Sequence, residues 1–196
     1  MCAIGGLVWL CGCRAGNEKS EETQVDPATE EQQRLIALGE TIVESAQLEL
    51  KSNLTAAIQE QGLAAAVGFC NANAGSITTA IENEHNVTIK RISNKNRNPE
   101  NIPSKNGSNV LEQFAHEIEE GKALSSTLLT YPDKGAEYYA PIKVGEFCLN
   151  CHGMVDDLQP ELIAAIDSLY PQDKAKGYVL GELRGAWLVE FSLSDG

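Results

Sequence analysis

In Gly185-Ala186-Trp187-Leu188-Val189-Glu190-Phe191-Ser192-Leu193, the large apolar Trp187, Val189 and Phe191 recur at every second position, with polar Glu190 between them. A period of two is the pattern of a strand with one buried side. Further strands are expected at Leu124–Thr130, Ala136–Val144 and Tyr178–Leu183, and an earlier one at Val87–Ser93, where β-branched residues alternate. The first half of the chain has a different period. From Glu30 to Gln61, Leu35, Leu38, Ile42, Ala46, Leu50, Leu54, Ala57 and Ile58 return every three or four positions, which predicts one long amphipathic helix. Gly62 interrupts it, and a second helix is expected with Leu63, Val67, Cys70, Ala74, Ile77 and Ile81 on one seam, ending at Asn83 to Asn86. Asn94–Gly107, with its two prolines, reads as an irregular loop. A short helix is expected from Ser108, and another over Pro160–Tyr170. Helices, a strand, a loop, a helix and then mostly strands predict an α+β domain on an antiparallel sheet.

The 196 residues are 42% apolar and 22% charged, the profile of one globular domain. A formal charge of −13 repels a phosphate backbone, so a nucleic-acid partner is not expected. The longest apolar run, Ala3 to Cys13, is far below the roughly 20 residues of a bilayer-spanning helix. With Leu10-Cys11-Gly12-Cys13 at its end, that run resembles the signal and lipobox of bacterial lipoproteins, although its n-region, Met1-Cys2, carries no Lys or Arg. The resemblance implies that Cys13 carries lipid and that everything before it is removed. Polar residues 14–28 then read as a flexible tether, leaving one folded domain over 29–196. A periplasmic, membrane-anchored lipoprotein is the expected location, with the membrane engaged only through lipid.

The chemistry concentrates at Cys148-Leu149-Asn150-Cys151-His152, the C-x-x-C-H signature of covalent c-type haem attachment. Two thiols one helical turn apart can each add to a haem vinyl group, while the adjacent His152 supplies an axial ligand to the iron. A structural zinc site would need four ligands, and only Cys70, His85, His116 and Cys13 remain outside the motif. A thioredoxin-like dithiol would follow an early strand of a βαβ unit, whereas this C-x-x-C lies late in a chain without that pattern. One covalent haem c is the expected cofactor.

On the iron's other face a methionine is nearly excluded, because the chain has only Met1 and Met154, and Met154 is two residues from His152. His116 shares a helix side with Glu112, Gln113, Glu119 and Glu120 and reads as solvated; His85 reads as exposed in a turn. Cys70 lies on a buried seam between Ala66 and Ala74, so it is either a packed core cysteine or a ligand approached by a flat macrocycle. Arg97 can clamp a haem propionate through its guanidinium fork or bond carbonyls within its own loop. Lys90, Arg91 and Arg184 are weaker propionate candidates.

Four blocks in order then carry a family resemblance: Val67-Gly68-Phe69-Cys70-Asn71 with Ala74; Arg97-Asn98-Pro99-Glu100-Asn101-Ile102-Pro103; Tyr139-Ala140-Pro141-Ile142 before Cys148–Gly153; and Gly177-Tyr178 with Gly181–Ala186. From about Glu30 onward the chain resembles the c-type haem family with a PAS-like fold, long catalogued only as a domain of unknown function. Its members occur in cyanobacteria, as exported bacterial proteins and as sensor-kinase input domains. The resemblance implies a PAS-like sheet with long N-terminal helices packed on it. It also implies Cys70 and His152 as axial ligands on opposite faces of the iron, with Cys148 and Cys151 holding the ring. With both axial positions filled, an enzyme is not expected. The expected role is a redox or small-ligand sensing module whose signalling partner is a separate chain; the alternative is a one-electron carrier of the periplasm.

Overall fold

The computed structural model describes residues 27–192, apart from the side chains of residues 27, 28, 70, 71, 73 and 74. The lipobox, Cys13 and most of the expected tether lie outside these residues. Helix α1 spans Pro27–Gln61 and α2 spans Leu63–His85. Pro27 and Ala28, expected in the tether, are already helical. Proline fits the first turn, where its missing N–H would have no intrahelical partner. Gly62 separates the helices with φ +84°, a conformation that glycine adopts without a Cβ penalty. Ile42 and Ile81, nearly equidistant from Gly62, share one core cluster, the geometry of an antiparallel helix hairpin. Helix α2 stops at Asn86, which takes a left-handed φ of 53°. The Glu82 carboxylate accepts from the Ile89 N–H at 3.0 Å and ties that helix end to the first strand.

The strands are β1 (Thr88–Ile92), β2 (Thr127–Tyr131), β3 (Gly135–Lys143) and β4 (Leu183–Phe191), paired antiparallel in the order β1-β4-β3-β2. The α+β class and the antiparallel sheet expected from the sequence are those observed. Both faces of the sheet are covered. Ile89, Tyr138, Trp187, Val189 and Phe191 pack under the α1–α2 hairpin. Ile92, Tyr139, Ala186 and Leu188 pack under α3 (Lys105–Glu119) through Val110, Leu111 and Phe114. Consecutive Tyr138 and Tyr139 therefore point to opposite layers, and both are buried. Helix α1 rests so closely on the Tyr138 ring that a Cβ at Gly39 would lie 2.6 Å from it.

Two expectations need correction. The segment expected as a strand over Tyr178–Leu183 is a loop up to Glu182, with Gly177 at φ +74° and Gly181 at φ +88°. Its N–H groups bond outside the sheet: Tyr178 donates to the His152 carbonyl at 2.9 Å and Gly181 to the Val144 carbonyl at 2.9 Å. Helix α3 starts at Lys105, three residues before the expected Ser108, because the Ser104 hydroxyl accepts the Gly107 N–H at 3.1 Å and caps it. The loop before α3 contains a 3₁₀ turn at Pro99–Asn101. Strands β2 and β3 match expectation with ends shifted, β2 starting only at Thr127. No described helix is long and apolar enough to cross a membrane.

Candidate functional site

Strand β3 ends at Lys143, and after two intervening residues the chain enters α4, Glu146–His152, which carries the C-x-x-C-H motif. Val144 pins this junction by exchanging backbone hydrogen bonds with Gly181 and Glu182. Cys148 and Cys151 are not joined in a disulfide; they are half-buried and three residues apart, on neighbouring turns of one face. Each packs into its own small cluster. Cys148 sits with Val144, Ala175 and Tyr178, while Cys151 sits with Val67 of α2 and Leu158, Leu162 and Ile166. The last three flank or lie on α5, Pro160–Leu169. Position 70 of α2 is one turn beyond Val67, so the topology brings it to the same end of the molecule; its side chain is among those not described.

His152 is the last residue of α4. Its Nδ1 lies 2.7 Å from the Ala175 carbonyl oxygen, which can only accept, so the proton is on Nδ1 and the Nε2 lone pair is left to a metal. The ring meets Tyr178 edge-on, with centroids 6.2 Å apart and planes at 88°. Burial pulls the imidazole pKa down to about 2, and the Arg184 and Arg97 charges reinforce the shift. A neutral imidazole is the form that ligates a metal. Immediately after it, a Cβ at Gly153 would lie 2.6 Å from the Leu149 carbonyl oxygen that the Gly153 N–H bonds.

Arg97 reaches this helix from the Pro-rich loop. Its NH2 group donates to the Cys151 carbonyl at 2.7 Å and to the Ala175 carbonyl at 3.4 Å, and Nε and NH2 together hold Asp173 at 3.2 and 3.3 Å. The carbonyls it bonds thus belong to α4 and the segment beneath it, rather than to its own loop. Asp173 is 1% exposed and also accepts the Ala175 N–H at 2.9 Å. One acid therefore fixes Arg97 and the residue whose carbonyl orients His152. Asp173 and Ala175 escape a sequence reading, since they lie in an unpatterned loop far from Arg97 and make their contacts only after folding.

The remaining expected residues are elsewhere. His116 is 69% exposed, beside Glu119 at 3.9 Å and Glu120 at 3.6 Å. His85 closes α2, half-buried. Lys90 pairs with Glu190 at 3.5 Å on the surface. Arg91 lies over the Trp187 ring at 5.7 Å. Among the described residues no three His, Cys, Asp or Glu side chains converge as a metal-ion site.

The site's two-thiol, one-imidazole geometry can be set beside known proteins. A family model described as Tll0287-like matches residues 20–192. This chain belongs to the Tll0287-like family. Its fold is similar to the crystal structure of the cyanobacterial heme-protein Tll0287, with a TM-score of 0.58 and 25% identity over 86% of this chain and 97% of that one. No curated protein matches the chain. The resemblance read from the four sequence blocks is thereby placed in a named family with a solved haem protein.

Proposed function

We propose that this chain is a haem c protein, with one haem bound through thioethers to Cys148 and Cys151 and with His152 and Cys70 as axial ligands. The observation that carries the reading is α4 itself: two half-buried thiols on neighbouring turns, followed by an imidazole whose Nδ1 is tied to Ala175 and whose Nε2 is therefore the donor. The surroundings suit a large apolar group. Phe147, Met154, Val155, Val179 and Leu180, in and around α4 and in the 177–182 loop bonded to it, expose 39–58% of their surface. Attachment needs no net oxidant, because each thiol adds across one vinyl group, sulfur to one carbon and hydrogen to the other.

Bound haem supplies a one-electron redox change and an iron whose ligands can exchange. The chain's residues divide the rest of the work. His152 is the fixed ligand, locked by Ala175, Arg97 and Asp173. Cys70 would be the second ligand: α2 packs on α5 through Val67 and on α1 through Ile77 and Ile81, so a change at position 70 would act on the whole hairpin. We read the protein as a redox or small-ligand sensing module on this basis. Export and a lipid anchor at Cys13 belong to the same proposal, since c-type attachment takes place outside the bacterial cytoplasmic membrane.

The test is ligand exchange. In the reduced holoprotein, carbon monoxide should displace Cys70 and change the absorption spectrum, and Cys70→Ala should bind carbon monoxide when ferrous and cyanide when ferric more readily than the parent. A reduced parent that refuses carbon monoxide and keeps both ligands would replace the sensor with the one-electron carrier. Haem that leaves the polypeptide in acid-acetone would end the haem c reading itself.

A further inference from the structure

Arg184, at the second position of β4, is a largely buried guanidinium in a cationic neighbourhood. Burial holds its pKa below the usual arginine range; Tyr178 opposes the shift, the Arg91 and Arg97 charges add to it, and no described carboxylate is among the groups acting most strongly on it. Its NH1 donates to the Ser93 hydroxyl at 3.0 Å and the Lys95 carbonyl at 3.2 Å. These neutral acceptors position the group without neutralising it. Lys95 is placed alongside, its Nζ 3.9 Å from the centroid of the Tyr178 ring, while Arg184 lies 5.4 Å from the same ring. Both cations thus converge on the tyrosine that meets His152 edge-on. They line a cleft of about 180 Å³ together with Ser93, Tyr178 and, on the outer wall, the exposed Glu112 and the apolar Leu111 of α3.

A buried cation is costly unless an anion and its hydrogen bonds compensate it, and although the chain carries a net −13, no acid among the described residues is placed on Arg184. By contrast Arg97, the propionate candidate that stands out in the sequence, has Nε and NH2 committed to Asp173 and two carbonyls. We infer that Arg184 and Lys95 form a carboxylate-binding subsite beside His152. The guanidinium offers the planar fork that matches a carboxylate, and the ammonium adds a point charge on the same side. The cleft volume suits a carboxylate-bearing arm or a small organic acid. The carboxylate has two possible sources, a propionate of the haem held by α4 or a free small carboxylate, and the first rests on the proposed function.

The experiment uses the full-length holoprotein, its Arg184→Gln and Lys95→Met variants, and Lys122→Gln as a surface control, since Lys122 is exposed and pairs with Glu120, each with covalent attachment verified by intact mass. If the propionate fills the subsite, the propionate-bending band in resonance Raman spectra shifts in both test variants and stays in place in the control. If a free carboxylate fills it, added acetate raises the Tm of the parent, and that rise is lost in both test variants. Either result upholds the subsite and names its source. An unmoved propionate band together with an acetate-independent Tm in the parent overturns it. Lys95 is exposed, so its variant keeps the test decisive if Arg184→Gln fails to fold. A chain that carries no haem refutes the proposed function, while the acetate arm still decides the subsite.

Discussion

Arg97→Gln removes the charge that faces a carboxylate 1% exposed to solvent. Asp173 then keeps the Ala175 N–H at 2.9 Å and the Lys176 ammonium at 3.8 Å, while the Cys151 carbonyl loses its 2.7 Å donor. Breaking a buried ion pair by removing one partner costs about 3–5 kcal/mol. Lys176 softens this, so a loss of about 3 kcal/mol is expected, which for a domain of this size lowers Tm by about 6–12 °C. The reverse change, Asp173→Asn, should cost less, about 1–2 kcal/mol, because Arg97 keeps two carbonyl acceptors and its side chain is 13% exposed. The assay is thermal unfolding of the holoprotein followed by circular dichroism, with an EPR spectrum of the ferric state to read the orientation of His152. Arg97→Gln should be the less stable variant and should also broaden the EPR signal, since the histidine loses the lock beneath it. A loss below about 1 kcal/mol, or Asp173→Asn proving the more damaging, would refute the view that this pair is a buried clamp on α4.

Gly153→Ala forces a methyl group against the Leu149 carbonyl 2.6 Å away, so the end of α4 must open. It should cost about 1–3 kcal/mol in unfolding experiments and reduce the yield of attached haem. In the chain produced without haem, unfolded His152 takes a proton below about pH 6.5, whereas the folded ring resists protonation down to about 2. Its contribution is therefore present above pH 6.5 and lost as pH falls, by up to about 1.4 kcal/mol per pH unit. His152→Gln should flatten the acid limb of stability between pH 6 and 4, as read from urea midpoints. Cys13→Ser should release the protein from membranes into the soluble exported fraction, read by fractionation, because a lipid and not a helix is proposed to hold it.

The long helices were legible because their burial follows the helical period: Ile42, Ala46 and Ala57 of the expected stripe are all in the core. Strand β4 was legible for the same reason, with Trp187, Val189 and Phe191 on one buried side. What sequence missed depends on distant partners. Tyr178–Leu183 has strand-like residues, but Gly177 and Gly181 turn the backbone, and the bonds to His152 and Val144 replace a sheet ladder. Gly107 closed the expected loop; it lies instead in the first turn of α3, where a Cβ would come within 3.0 Å of Ile92. At the site, the motif announced Cys148, Cys151 and His152, and Arg97 stood out in its loop. Their organisation rests on Asp173, 76 residues beyond Arg97, and on the Ala175 carbonyl, which no side-chain pattern can signal. Arg184 ranked only as a weaker propionate candidate because nothing local reveals that Ser93, 91 residues earlier, will draw it inward.

The central claim is a covalent cofactor on α4, and peptide mass spectrometry of the denatured, proteolysed holoprotein tests it most directly. One haem per chain is expected, found on the peptide that contains Cys148, Cys151 and His152, and absent from that peptide in the Cys148→Ala/Cys151→Ala double variant. An unmodified peptide bearing two free thiols, recovered from protein purified from the exported fraction, would contradict it.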